Sequence, residues 1–139
     1  MFNEMMAIGS GGGGGGVTNA PVIAHTQRTQ YTQNAIIPLK LKDSSYASLG
    51  SDNKLTLSKD CKLLVTLNSG CAYGGYPVSN TISLYKNGVV EDSCSSSATY
   101  DVIPKNVLVD AKAGDIFWIY RTSGGNGYEM CYTEFTALE

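Results

Sequence analysis

The sequence has little charge of either sign and no long apolar run. Its 139 residues contain 10 Lys and Arg against 12 Asp and Glu, a formal net charge of −2. Phosphate contacts need clustered cations and no basic run is present, so a nucleic-acid partner is not expected. No apolar stretch approaches the ~20 residues of a membrane span, and residues 1–8 lack the cations and the apolar length of a signal peptide. We therefore expect synthesis in the cytoplasm and no membrane insertion.

Residues that carry catalysis are also scarce. The one histidine, His25, stands beside Thr26 and Gln27 in a polar stretch that we predict to be a solvated loop. A Ser/His/Asp or Cys/His site would have to take its base from there. The sequence contains no Gly-x-Ser-x-Gly elbow and no EF-hand spacing, and most aspartates stand beside turn-forming residues. We expect neither an enzyme nor a bound metal or cofactor.

The sequence has four cysteines: Cys61, Cys71, Cys94 and Cys131. Their even number allows three disulfide pairings, and their spacings fit no pattern of paired zinc ligands. A cytoplasmic protein keeps its thiols reduced, and a buried cysteine packs as a small hydrophobe. Free thiols are therefore favoured, while one or more disulfides or a metal site remain open.

Glycine is abundant only at the start of the sequence, where 7 of its 16 copies fall within residues 1–30. A glycine run has the largest backbone entropy to lose and does not order alone, so we interpret residues 1–30 as an arm and residues 31–139 as a domain. A disordered tail or linker is the alternative. The apolar side chains predicted to dock on a larger particle are Met1, Phe2, Met5, Met6 and Ile8. The tether behind them consists of Gly11, Gly12, Gly13, Gly14, Gly15 and Gly16.

From Tyr31 onward the apolar residues recur with a period of two. Leu63, Val65 and Leu67 form one such series, and no window of 11 or more residues carries a helical stripe. Asn87-Gly88 is the strongest two-residue hairpin signal, because both positions tolerate positive φ. Further strands are predicted over 98–103, 106–110, 115–121 and 128–138. About eight short strands predict an all-β, antiparallel jelly-roll sandwich, preceded by the extended glycine-rich arm.

The strand 116–120 is apolar on both faces. The residues predicted to fill the core are Ile116, Trp118 and Tyr120. Phe117 and Ile119 then point outwards and need a second apolar partner, with Tyr128 nearby across the hairpin. Because an exposed apolar patch of this kind usually marks a subunit interface, these last three residues are the predicted oligomer contact. A loop that covers a central strand is the alternative.

Tyr73 and Tyr76 flank two glycines in a predicted loop. Exposed tyrosine offers a flat apolar ring and a hydroxyl group, which suits stacking on a sugar or packing on a protein. Asn126, in the glycine-rich turn 123–127, adds hydrogen-bonding capacity at a loop end. These residues are a predicted ligand-binding patch for a cell-surface glycan, and the equal alternative is that the rings cap the sandwich.

Residues 55–138 resemble the jelly roll shared by the complement-component and tumour-necrosis-factor families. The resemblance rests on the buried strand 63–67, the strand 82–88 that ends in Lys-Asn-Gly, the stretch 107–118 with its Gly114-Asp115 turn, and the last strand 135–138. It implies a homotrimer, because members of these families pack three jelly rolls around an axis. The sequence shows none of the collagen-like or transmembrane stalk found in those families.

The layout of a short apolar head, a glycine-rich arm and a small jelly roll resembles virion proteins of tailed phages. That resemblance implies a non-enzymatic structural protein on the virion surface: a trimeric head fibre or capsid decoration knob. Its arm would anchor it to a capsid or tail protein. The alternative is the receptor-binding, glycan-recognising tip of a tail fibre. Fold alone does not decide between the two roles.

Overall fold

A computed structural model describes residues 20–26, 34–70, 80–96, 102–123 and 132–138. These residues form eleven β-strands and no helix. The strands are β1 (Val22–Thr26), β2 (Ala35–Ile36), β3 (Leu39–Leu41), β4 (Ala47–Leu49), β5 (Leu55–Leu57), β6 (Cys61–Gly70), β7 (Asn80–Lys86), β8 (Val89–Ser96), β9 (Val102–Ala111), β10 (Ile116–Ser123) and β11 (Tyr132–Ala137).

The strands build two antiparallel sheets that pack face to face. Sheet one has the order β9–β6–β11–β1–β3. Sheet two has the order β4–β5–β10–β7–β8, and the two-residue β2 also pairs with β10. Neighbouring strands come from distant parts of the chain, as where β11 lies between β6 and β1. The expected all-β jelly-roll sandwich is confirmed.

Alternating apolar residues of the two sheets meet in one core. Leu63, Val65 and Leu67 point inward from β6, as the period of two predicted. Phe117 of sheet two meets Phe135 of sheet one, with ring centroids 6.4 Å apart and ring planes at 63°. Each fully buried side chain of this size contributes about 2 kcal/mol through removal from water, so this core is what joins the sheets.

Asn87 and Gly88 connect β7 to β8, and both have positive φ, at 52° and 86°. These angles suit the tight turn between two twisted antiparallel strands. The predicted Asn-Gly hairpin is therefore confirmed.

The predicted boundaries differ from the structure in two places. β9 runs unbroken over ten residues, where we predicted two strands, because every residue pairs with β6; Pro104 is tolerated at this sheet edge. β1, which we assigned to the arm, pairs with both β11 and β3. Ile23 and Ala24 are fully buried, although the polar residues around them gave no such indication. The sandwich therefore begins before residue 31, and the prediction of a solvated loop at His25 is wrong.

One end of the sandwich, here called the arm end, holds the first and last described residues. Pro21 O accepts a hydrogen bond from Ala137 N at 3.0 Å, and Leu138 N donates to Lys62 O at 2.7 Å. The turns 58–60, 87–88 and 112–115 lie at the same end. The described part of the chain therefore both starts and finishes at the arm end.

The opposite end, here called the loop end, is marked by the paired residues Gly70 and Val102 and by Asn80 and Ser123. Four segments outside the described residues join strands at this end: 27–33, 71–79, 97–101 and 124–131. The arm and these four connections are therefore attached at opposite ends of the sandwich.

Candidate subunit interface

Two of the three residues predicted to form the oligomer contact lie in the core. Phe117 and Ile119 are 0% exposed, so the prediction that they point outwards is wrong. The outer face of β10 carries Ile116, Trp118 and Tyr120. Phe and Ile have no polar atoms and lose nothing on complete burial, whereas Trp and Tyr keep a polar group that favours a half-buried position. The third predicted residue, Tyr128, is outside the described residues.

The exposed large apolar side chains concentrate on one side of the sandwich. Among the described residues there are five, and four of them belong to β8 or β9: Val89, Val90, Ile103 and Leu108. Val89 is 65% exposed and Leu108 is 58% exposed. β8 and β9 are the edge strands of the two sheets on the same side, here called the β8/β9 edge. A concentration of this kind is typical of a docking surface.

Polar contacts tie the two strands of the β8/β9 edge together. Lys105 Nζ lies 2.7 Å from Asp92 Oδ1 and donates to Ser93 O at 3.4 Å. Cys94 Sγ donates to Ile103 O at 2.9 Å. The hydrogen bond from Lys105 holds the pKa of Asp92 below its usual value. These contacts hold the two edge strands against each other. Lys105 also disfavours the pairing of this edge with a strand of another chain.

A second open surface is the outer face of sheet one, formed by β1, β11 and β6 and here called the sheet-one face. Leu64 on β6 lies directly opposite Leu108 on β9. The Tyr132 ring stacks on His25, with centroids 6.0 Å apart, and Tyr132 Oη donates to Glu134 Oε2 at 3.0 Å. Leu64, Tyr132 and His25 are half-buried in the single protomer. The centre of this face is mixed in character, because Thr66 and Glu134, paired in register, lie between Leu64 and Tyr132.

Sequence reasoning missed most of these surface residues. The alternation in 105–109 does contain the signal, because Val107 and Val109 take the core side and leave Leu108 outside. Val89 and Val90 directly follow the Asn-Gly turn. Because successive side chains of a strand point to opposite faces of the sheet, at least one of two adjacent apolar residues is expected on the outer face. Leu64 also takes the outer side, between the inward-pointing Leu63 and Val65.

The remaining predicted sites are outside the described residues. This holds for the docking residues 1–8, the tether 11–16 and the ligand patch at Tyr73, Tyr76 and Asn126. Of the cysteines, Cys61 and Cys94 are buried and free, and burial raises the pKa of the Cys61 thiol. Within the described part of the chain, no group of three or more His, Cys, Asp or Glu residues is placed to hold a metal ion. Nor does that part contain a helix long and apolar enough to cross a membrane.

No protein-family profile matches the sequence, and no curated protein matches it. Solved structures do match its fold. The crystal structure of rabbit GITRL superposes with a TM-score of 0.59 at 14% identity, over 86% of this chain and 95% of that one. The crystal structure of murine APRIL gives a TM-score of 0.59 at 12% identity, over 84% of this chain and 98% of that one. The fold is therefore a jelly roll of the tumour-necrosis-factor type.

Proposed function

We propose that the chain is a non-enzymatic structural module that assembles into a homotrimer and is anchored to a larger particle by its N-terminal arm. The particle in this proposal is a tailed-phage virion, and the module is its head fibre or capsid decoration knob. The observation that carries the assembly is the concentration of exposed apolar side chains on the β8/β9 edge. The two surfaces described above supply the contacts.

The β8/β9 edge of an isolated protomer exposes apolar side chains to water, which is unfavourable. Val89, Val90 and Leu108 are each exposed by nearly half or more. Complete burial of an aliphatic side chain of this size is worth about 1.5–3 kcal/mol. Association that covers these side chains is therefore favourable before any polar contact forms.

The sheet-one face is the surface that suits this edge. It presents Leu64 and, further along the strands, the His25–Tyr132 ring stack, with Thr66 and Glu134 between them. The Glu134 carboxylate accepts a hydrogen bond from Tyr132 Oη within the protomer, which offsets part of the cost of removing it from water. In this proposal the apolar side chains of the edge pack on Leu64 and on the two rings.

The β8/β9 edge and the sheet-one face adjoin where Leu108 pairs with Leu64. In the proposal the edge of one copy packs on the face of the next, so the contact is heterologous. Heterologous contacts repeat from one copy to the next and close into a ring when the rotation permits. Three copies is the number that the resemblance to trimeric jelly-roll families implies. The proposed homotrimer thus uses the edge of each protomer and the face of its neighbour.

The anchoring part of the proposal rests on the two ends of the sandwich. The chain enters the sandwich at the arm end, through Pro21, while four connections leave from the loop end. A module held by the part of the arm that precedes β1 would therefore turn its loop end away from the particle. This arrangement suits a displayed knob.

Sedimentation velocity tests the assembly with one variant at the β8/β9 edge. Leu108→Glu places a charge in the proposed contact and should convert the trimer to a monomer at micromolar concentration. Leu138→Glu is the matched control, because Leu138 is 39% exposed but lies at the arm end; it should leave the trimer intact. A Leu108→Glu protein that sediments as the parent does would refute the edge contact.

The receptor-binding tip of a tail fibre is the second candidate function. The strand ends that lead into 71–79 and 124–131 are neighbours, since Asn80 pairs with Ser123 and Tyr132 with Asn68. This proximity favours a shared surface for Tyr73, Tyr76 and Asn126. A glycan array on which the Tyr73→Ala, Tyr76→Ala double variant binds as well as the parent would exclude this site.

A further inference from the structure

The outer face of sheet two carries a row of side chains stacked across three strands. Lys54 precedes β5, Trp118 lies on β10 and Tyr85 on β7, in the order of the strands in the sheet. The Tyr85 and Trp118 rings are 5.4 Å apart at 8° between planes, and Lys54 Nζ lies 4.4 Å from the Trp118 ring centroid. Tyr120 meets Tyr85 edge-on at 6.2 Å. These four residues are here called the ring ridge.

The ring ridge is bordered on both sides by short hydroxyl side chains. On the β4/β5 side, Ser48 lies opposite Thr56 in register. On the β7/β8 side, Ser83 Oγ is 2.8 Å from Ser93 Oγ, and Val90 lies opposite Tyr85. Short hydroxyl side chains thus border part of each flank of the aromatic row, and these two hydroxyl rows are here called the troughs.

The strands β5, β7 and β10 contain no aspartate or glutamate, whereas the neighbouring β8 contains Glu91 and Asp92, of which Asp92 is paired with Lys105. Lys54 is the cation of the ridge, and its flexible side chain covers the indole ring of Trp118 on the side away from Tyr85. The ammonium group is held there by a cation–π contact, a weak interaction that a ligand can displace.

We infer that the ring ridge binds a neutral oligosaccharide. A sugar ring has one apolar C–H face and a rim of hydroxyl groups. The apolar face fits the indole of Trp118 once Lys54 moves aside, and the displaced ammonium donates to sugar oxygens. The serine and threonine hydroxyls of the troughs meet the rim. Rings already stacked against each other lose little side-chain entropy on binding.

The chemistry of the borders favours a sugar over a protein partner. Protein hot spots have their aromatic anchors surrounded by contacts that exclude water, whereas the ridge has rows of hydroxyl groups along part of both flanks. This inference depends on the proposed assembly in that the assembly must leave the ridge uncovered, although Tyr85 lies opposite Val90 of the β8/β9 edge. The site is also distinct from the predicted patch at Tyr73, Tyr76 and Asn126.

Trp118 is the single tryptophan of the chain, so its fluorescence reports on the ridge alone. The full chain is titrated with neutral hexose oligosaccharides of four to six units, glucans and mannans among them, and with acidic oligosaccharides in parallel. We expect a saturable emission change with at least one neutral oligosaccharide. Tyr85→Ala should weaken the affinity at least tenfold, and Lys54→Met, which keeps the length of the side chain and removes its charge, about fivefold.

Lys59→Met is the matched control, because Lys59 Nζ lies 3.9 Å over the Tyr46 ring, a second lysine–ring pair away from the ridge; it should bind as the parent does. No emission change with any neutral oligosaccharide, binding confined to acidic ones, or equal binding by both ridge variants would overturn the inference. Sedimentation of the same samples separates the two proposals. A trimer without sugar binding refutes the ridge site alone, and a monomer that binds sugar refutes the assembly alone.

Discussion

Polar contacts at the arm end of the sandwich are exposed, whereas those at the loop end are buried. At the arm end, Lys62 Nζ lies 3.0 Å from Asp110 Oδ1, with side chains 49% and 77% exposed. Asn87 Nδ2 donates to Asp115 Oδ1 at 3.0 Å, and Ile116 N donates to Asn87 Oδ1 at 2.9 Å. Short turns are thus fixed at this end by local hydrogen bonds and surface ion pairs.

The loop end instead contains a polar cluster inside the sandwich. Arg121 is 1% exposed, and its Nε donates to Asn80 Oδ1 at 3.0 Å. Asn80 Nδ2 donates to Ser69 Oγ at 3.2 Å, and Ser69 Oγ donates to Asn80 O at 2.8 Å, which links the two sheets. Ser96 Oγ lies 3.4 Å from Ser69 Oγ.

The contrast shows how position sets the value of a polar contact. An exposed ion pair contributes about 0–1 kcal/mol, because water competes for both partners. Removal of one member of a buried network leaves its partners without hydrogen bonds in a dry site and costs about 3 kcal/mol or more. The loop end should therefore be much more sensitive to single substitutions than the arm end.

Arg121→Ala should have the largest effect. It removes a buried guanidinium, leaves Asn80 Oδ1 without the described donor and opens space between the sheets. We expect the free energy of unfolding to fall by about 3 kcal/mol or more, measured by urea denaturation. A loss below about 1 kcal/mol would mean that the buried cluster contributes no more to stability than an exposed ion pair does.

Asn87→Ala should have an intermediate effect at the arm end. The substitution removes the hydrogen bonds to Asp115 and from Ile116 N and places alanine at a φ of 52°, a left-handed conformation that disfavours it. We expect a loss of about 1–2 kcal/mol in the same denaturation assay. Asn87→Gly, which relieves the backbone strain, should recover part of this loss.

Asp115 should add a smaller, pH-dependent contribution. Its hydrogen bond from Asn87, followed by that from Lys112 N, holds the pKa of its carboxyl below the usual value. A lowered folded-state pKa gives stability that is present above pH ~4 and is lost as the pH falls through the folded-state value. Asp115→Asn should therefore flatten the fall in unfolding free energy below pH ~4. An acid profile identical to that of the parent would contradict this assignment, with the exposed Glu91→Gln as the comparison variant.

Lys62→Ala should have the smallest effect. Its ion pair with Asp110 is open to water on both sides. We expect a change within about 0.5 kcal/mol, and a smaller one in high salt, because exposed pairs are screened. A loss comparable to that of Arg121→Ala would remove the distinction between the two ends.

The fold could be predicted from the sequence in strands where apolar residues occupy mainly every second position. Leu63, Val65 and Leu67 recur with a period of two, with only Leu64 apolar on the opposite side, and this pattern indicated one buried face; Asn87-Gly88 indicated the hairpin. The β10 strand was not accessible in this way, because residues of both parities are apolar. Its core side even includes Arg121, whose charge argued for the surface.

The candidate interface was less accessible than the fold. Periodicity assigns a residue to the inside or the outside of a strand, but it does not say which strands lie at a sheet edge. Leu108 matters because β9 is the edge strand of its sheet and lies beside β8, the edge strand of the other sheet, and the sequence pattern contains neither fact. β1 was missed for a related reason, since its burial comes from β11, more than a hundred residues away.

The mass of the full chain in solution tests the central claim of a homotrimer most directly. Size-exclusion chromatography with light scattering should be run over a range of micromolar concentrations. The account predicts about 44 kDa, three times the 14.8 kDa of one chain, with no decline on dilution to low micromolar concentration. A mass of one chain throughout that range, or of two chains, would contradict it.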